Sequence, residues 1–131
     1  MSIPDKQSDE YQARLSEKQK HVLCDGGTEA PFTGKYYSFK GKGQYVCAGC
    51  GNVLFSSEHK YDSGSGWPSF WAPMDAASVS TNRDESFGMI REEVVCGKCG
   101  GHLGHVFDDG PRPTGLRYCI NSVALDFKSE E

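Results

Sequence analysis

Residues 46–55, VCAGCGNVLF, and residues 95–104, VCGKCGGHLG, repeat one local pattern: two cysteines three apart, a glycine after the second, then a short apolar run. Two thiolates at that spacing, held on a tight turn with backbone N–H groups aimed at sulfur, supply two corners of a tetrahedron. Cys47, Cys50, Cys96 and Cys99 therefore read as a closed Cys₄ site. Such a site has no open position for water, so the metal is expected to be structural Zn²⁺, although iron accepts the same geometry. Zinc here would tie together strands distant in sequence and contribute on the order of 10 kcal/mol of folding free energy. A thioredoxin-like redox pair is the competing reading, but that motif belongs at a strand-to-helix junction of a βαβ unit, and the flanking sequence shows none.

Outward from the cysteine pairs, the texture is of glycine-punctuated segments rich in Tyr, Val, Phe and Ile. The expected strands are KYYSF (35–39), GQYVC (43–47), NVLFSS (52–57), GMIREEVVC (88–96), GHLGHVF (101–107) and LRYCINSVALDF (116–127). No long helical pattern separates them, so the fold class is mainly β and antiparallel. The polar segment from Asp75 to Ser86 is expected to be loop. The N-terminal segment, residues 1–23, is expected to be helical. Tyr11, Leu15 and Val22 form an apolar stripe, and Ser16 with Gln19 makes a capping-box pattern that breaks the helix near Leu15. The second piece runs to about Leu23, Gly26-Gly27 ends it, and the tail over 126–131 is expected to fray.

The 131 residues suit one domain, 1–131. Fourteen Lys and Arg against 18 Asp and Glu give a net charge of −4, with the basic residues scattered, which argues against a nucleic-acid partner. The polar start lacks an apolar signal region, and no window approaches about 18 apolar residues. A cytoplasmic protein with no membrane association is expected. In a reducing compartment six cysteines are metal ligands or reactive thiols rather than a disulfide framework.

Two cysteines, Cys24 and Cys119, lie outside the pairs. In LRYCINS a period of two puts Arg117, Cys119 and Asn121 on one face: a cation, a thiol and an amide. Arginine beside a thiol favours the nucleophilic thiolate, and a structural buried thiol is the alternative. Upstream, GHLGHVFDDG (101–110) offers His102, His105 and Asp109. In a regular strand a spacing of three sends the two histidines to opposite faces, so periodicity does not place both in one site. The loop YDSGSGWPSFWAP (61–73) carries Trp67, Phe70 and Trp71, either as core cover or as an apolar wall for a small ligand.

Taken together, GGTEAPFTGKYY, YVCAGCGNVLFSS, YDSGSGWPSF and CGKCGGHLGHVFDDGPRPTGLRYCINSVALDF resemble one family over about a hundred residues, type B methionine sulfoxide reductase, which reduces the R epimer of methionine sulfoxide. The resemblance implies two antiparallel sheets with short N-terminal helices and a zinc site away from the reaction centre. By position, Cys119 matches the nucleophile and His105 the histidine near the sulfoxide oxygen. His102, Arg117, Asn121 and Asp109 match other polar positions, Trp67 the ring against the substrate methyl, and Phe107 completes that wall. It also implies oxidised proteins or peptides as substrate, a sulfenic acid intermediate, thioredoxin as reductant and a monomeric protein. Many members carry a resolving cysteine in the Trp-containing loop, where this chain has Ser65. The resemblance to a subset with an N-terminal second thiol points to Cys24 instead, in HVLCDGGTE, the alternative being direct attack of the reductant on the sulfenic acid. Rival readings from the residues alone are a zinc-stabilised binding module and a thiol hydrolase built on Cys119 and a histidine.

Overall fold

The computed structural model describes residues 9–85, 88 and 90–129; the expected helical start over residues 1–8 and the end of the expected frayed tail, 130–131, lie outside the described residues. Two short helices open the chain, α1 (Asp9–Ala13) and α2 (Glu17–Leu23). The break between them has a local cause. Ser16 Oγ accepts from the Gln19 N–H at 3.2 Å while Gln19 Oε1 accepts from the Ser16 N–H at 2.9 Å, the reciprocal capping box. Tyr11, Leu15, Val22 and Leu23 bury the inner stripe of both helices.

Among the described residues nine strands follow: β1 (Gly43–Cys47), β2 (Val53–Ser56), β3 (Lys60–Tyr61), β4 (Ser69–Phe70), β5 (Val79–Asp84), β6 (Arg91–Cys96), β7 (His102–Phe107), β8 (Arg117–Ile120) and β9 (Leu125–Ser129). They form a three-stranded sheet, β2-β1-β9, and a six-stranded sheet, β3-β4-β8-β7-β6-β5, with every pairing antiparallel. The mainly β, two-sheet fold expected from the sequence is the one observed. Tyr45 and Phe55 of the small sheet pack on Phe70 of the large one, Phe55 and Phe70 stacking at 4.3 Å between centroids and Tyr45 meeting Phe70 edge-on at 5.2 Å. Leu54, Leu103, Ile120 and Leu125 complete this core. Among the described residues no helix is long and apolar enough to cross a membrane.

Four segments differ from the sequence reading, the first being the expected frayed tail, whose residues 126–129 are held in β9 by antiparallel pairing with β1. KYYSF is turn and bend rather than strand. Its aromatics signalled burial, which Tyr36 satisfies by edge contacts with Phe39 and Tyr45. The polar segment beginning at Asp75 holds strand β5, paired with β6 over six residues. As an edge strand buried only at Val79 it carries no apolar alternation to betray it. LRYCINSVALDF is two strands of different sheets, because a 3₁₀ turn at Ser122–Ala124 redirects the chain between β8 and β9.

Candidate active site and metal centre

The two cysteine pairs sit on matching turns at the ends of β1 and β6. The N–H of Gly51 reaches the carbonyl of Cys47 at 2.8 Å, and that of Gly100 reaches Cys96 at 3.0 Å. Both glycines adopt left-handed φ, 81° and 75°, which explains a glycine after each second cysteine. The four sulfurs lie within 4.8 Å of one another, and Cys47–Cys99 and Cys50–Cys96 are each 3.6 Å apart. Tetrahedral zinc thiolate bonds of about 2.3 Å require sulfurs about 3.8 Å apart, so the donor set fits the group. Donors already face the sulfurs: the Gly101 N–H at 3.4 Å and the Tyr11 hydroxyl at 3.3 Å from Cys99, and the Lys98 N–H at 3.5 Å from Cys96. Because β1 and β6 belong to different sheets, an ion here staples the two layers together.

A second cluster lies on the large sheet. Ser69, Cys119, His105 and Glu93 stand directly opposite one another across β4, β8, β7 and β6, a single row in register. Over this row opens a cleft of about 290 Å³ lined by Thr28, Ser65, Trp67, Arg91, His105 and Cys119 together with Gly104, Phe107, Arg117 and Asn121. The strand period places Arg117, Cys119 and Asn121 in this cleft while Tyr118 and Ile120 turn into the core. Trp67, His105 and Phe107 join them from other elements. Of the larger concavities, those of about 540, 560 and 820 Å³ hold no cysteine, and one of about 620 Å³ is lined by Cys47 and Cys50 of the metal centre.

Histidine 105 is oriented from behind. Its Nε2 lies 2.8 Å from Asp84 Oδ2, which also accepts from Arg91 Nη2 at 3.2 Å. A carboxylate only accepts, so Nε2 carries a proton. Histidine 102 reaches the same face by an irregularity: the β6–β7 register shifts between Val94 and Val95, leaving Leu103 as the extra residue. The bulge rephases the strand, and the two imidazoles meet edge-on with centroids 5.5 Å apart. His102 itself is buried, outside the cleft lining, with Nδ1 at 2.6 Å from Glu93 Oε2. Asp109 also lies outside the cleft; it grips Arg117 through two hydrogen bonds of 2.9 and 3.2 Å, and the Arg117 guanidinium lies 4.5 Å over the Phe107 ring.

The electrostatics of Cys119 run against the simple expectation. Burial pushes its thiol above the ordinary value of 9.0, and this outweighs the hydrogen bond with Ser65 and the nearby Arg117 charge, both of which pull it down. Cys24 caps the C-terminus of α2, packs partly buried against the core, and is not among the cleft-lining residues. Four residues after it, Thr28 does line the cleft.

Sequence reasoning missed Asp84 and Arg91, which pair across the β5–β6 ladder, because the segment holding Asp84 reads as loop. It also missed Thr28 and Glu29, polar residues in a stretch without periodicity.

A SelR domain family model matches residues 15–129. Proteins named peptide methionine sulfoxide reductase MsrB match nearly end to end: one from Hahella chejuensis is 55% identical over 126 residues, covering 96% of this chain and 91% of the relative. That from Leptospira interrogans is 56% identical over 125 residues, covering 95% of each, and that from Pseudomonas aeruginosa is 54% identical over 131 residues, covering 100% and 99%. This chain belongs to the MsrB family. In this chain Cys119 and His105, opposite each other across β8 and β7, line one cleft with Trp67 and Phe107.

Proposed function

We propose that this chain reduces the R epimer of peptide-bound methionine sulfoxide at the cleft over Cys119. The observation that carries the reading is the direct cross-strand pairing of Cys119 with His105 in a cleft that Trp67 also lines. Trp67 and Phe107 offer dispersion and shape to a thioether methyl, while the polar wall orients the S–O dipole so that sulfur faces Cys119. Cys119 sulfur attacks the sulfoxide sulfur. The oxygen gains negative charge and is protonated, with His105, as the imidazolium or through a water, stabilising it while the Asp84–Arg91 pair holds its Nε2. The sulfur–oxygen bond breaks, the oxygen adds to the Cys119 sulfur as the bond between the two sulfurs breaks, and methionine leaves with Cys119 as a sulfenic acid. The raised thiol pKa suits this sequence, because the proton lost from Cys119 is available to the departing oxygen.

Recycling then needs a second thiol. Ser65 stands where the resemblance places a resolving cysteine, so we assign that role to Cys24, whose thiol condenses with the sulfenic acid to give a disulfide and water. A disulfide requires Cα atoms within about 7 Å. Gly26, with φ of 73° and open space around it, lies between Cys24 and the cleft residue Thr28 and is the natural pivot. Thioredoxin dithiol reduces the disulfide. The Cys₄ site holds structural zinc and contributes stability; Cys47, Cys50, Cys96 and Cys99 are absent from the cleft lining. The enzyme acts as a cytoplasmic monomer. Turnover of separated R and S sulfoxides with dithiothreitol, with Cys119→Ser as control, tests the reaction: the R epimer alone is consumed by the wild type. Reduction of neither epimer, or equal activity in Cys119→Ser, refutes it.

A further inference from the structure

In the segment that follows Cys24, Glu29 makes three hydrogen bonds to residues in and beside the cleft. The Glu29 N–H donates to Asn121 Oδ1 at 2.9 Å, the Glu29 carbonyl accepts from Trp67 Nε1 at 3.0 Å, and Glu29 Oε1 accepts from the Val123 N–H at 3.0 Å. We propose that Glu29 is a positioning residue that holds Trp67 and Asn121, and so sets the shape of the sulfoxide cleft.

Indole has a single donor, and here it is spent on the Glu29 carbonyl, which fixes the ring against rotation. Asn121 is fixed twice, its Oδ1 by Glu29 and its Nδ2 by the Leu103 carbonyl at 2.9 Å. The side chain of Glu29 takes part through a trade. Asn121 occupies the N-cap position of the 3₁₀ turn at Ser122–Ala124 but makes no side-chain cap bond, because its amide is turned to Glu29. The open N–H in that turn, on Val123, is accepted by the Glu29 carboxylate instead. Backbone and side chain of Glu29 thus grip opposite ends of Asn121–Val123, and the same peptide reaches across to Trp67.

Two neighbours make room for this grip. A Cβ on Gly34 would lie 2.3 Å from Glu29 Oε2 and 2.2 Å from Ser122 Oγ, so glycine leaves the space the carboxylate fills. A Cβ on Gly66 would lie 2.6 Å from Pro31 Cβ, and the Phe32 N–H bonds the Gly66 carbonyl at 2.7 Å, seating the same segment on the Trp67 loop. The second carboxylate oxygen, Oε2, is buried without a hydrogen-bond partner among the described residues, so the charge itself is not what the contacts require. A neutral acceptor of the same length fits them equally.

The inference rests on the proposed reaction, and its test separates the two. In a Trp71→Phe background Trp67 is the single tryptophan. Glu29→Ala, Glu29→Asp (one methylene shorter) and Glu29→Gln are compared by acrylamide quenching of Trp67, by thermal unfolding, and by kcat and KM on N-acetyl methionine (R)-sulfoxide amide with dithiothreitol. Expected for Ala and Asp is a KM raised about fivefold or more with kcat within about twofold, and greater quenching of Trp67. Glu29→Gln restores both to the parent values. Asp stands in for Ala should the latter fail to fold. Unchanged KM and quenching in the Ala and Asp variants overturn the proposal, as does a Gln variant as impaired as Ala. If the parent protein turns over neither epimer, the reaction is refuted and the quenching series alone decides whether Glu29 holds the ring.

Discussion

The hydroxyl oxygen of Ser65 lies 3.6 Å from the sulfur of Cys119. The loop therefore presents residue 65 to Cys119 at contact distance, with a side chain that cannot form a disulfide. Ser65→Cys should create that bond: after one turnover without reductant, peptide mapping is expected to show a disulfide between the introduced thiol and Cys119, even with Cys24→Ser present. Persistence of the sulfenic acid in the double variant would show that the loop does not close the remaining distance.

Removing Cys24 alone tests its role. Cys24→Ser should keep single-turnover reduction of sulfoxide within about twofold, lose most thioredoxin-supported turnover, and leave a sulfenic acid on Cys119 that dimedone labels. Mass spectrometry of wild type after one turnover should find Cys24 joined to Cys119. Full thioredoxin turnover by Cys24→Ser would favour direct attack of the reductant.

The reactivity of Cys119 should follow its burial. A thiol raised above 9.0 is alkylated by iodoacetamide at a rate that climbs about tenfold per pH unit across neutral pH and does not level off before about pH 9. Arg117 pulls the value down, so Arg117→Met moves the curve to still higher pH and slows alkylation at about pH 7. A plateau near neutral pH in the wild type would contradict the balance in which burial wins.

Asp84 should matter through His105. His105→Ala is expected to lower kcat by about a hundredfold or more, and Asp84→Asn by a smaller factor in the same direction, since the imidazole remains but its Nε2 faces a neutral amide in place of the charged acceptor. If the pH dependence of kcat is identical in Asp84→Asn and wild type, the pair does no more than brace the β5–β6 hairpin.

Metal removal should loosen the joint between the sheets. Cys50→Ser, or prolonged chelation, is expected to lower Tm by more than about 10 °C and to release about one zinc per chain. Retention of Tm after complete loss of the ion would show that the aromatic core suffices.

Much of this protein is legible from short-range pattern. The capping box at Ser16 and Gln19, the four metal ligands and the shared face of Arg117, Cys119 and Asn121 each depend on residues within a turn or a strand. Strand β5 is not legible in the same way, since an exposed edge strand needs no apolar alternation, and Asp84 is hidden with it.

Chain order and residue chemistry settle which groups are available: a nucleophilic sulfur in a polar-faced strand, two histidines, an aromatic loop, a serine at position 65. Long-range contacts settle how they meet. A bulge at Leu103 brings His102 and His105 to one face against the period of two, and strand register sets Cys119 opposite His105. Glu29 reaches Trp67 and Asn121 across separations of 38 and 92 residues. Burial likewise reverses the effect of Arg117 on Cys119, because desolvation comes from every layer packed around the sulfur and no local spacing encodes it.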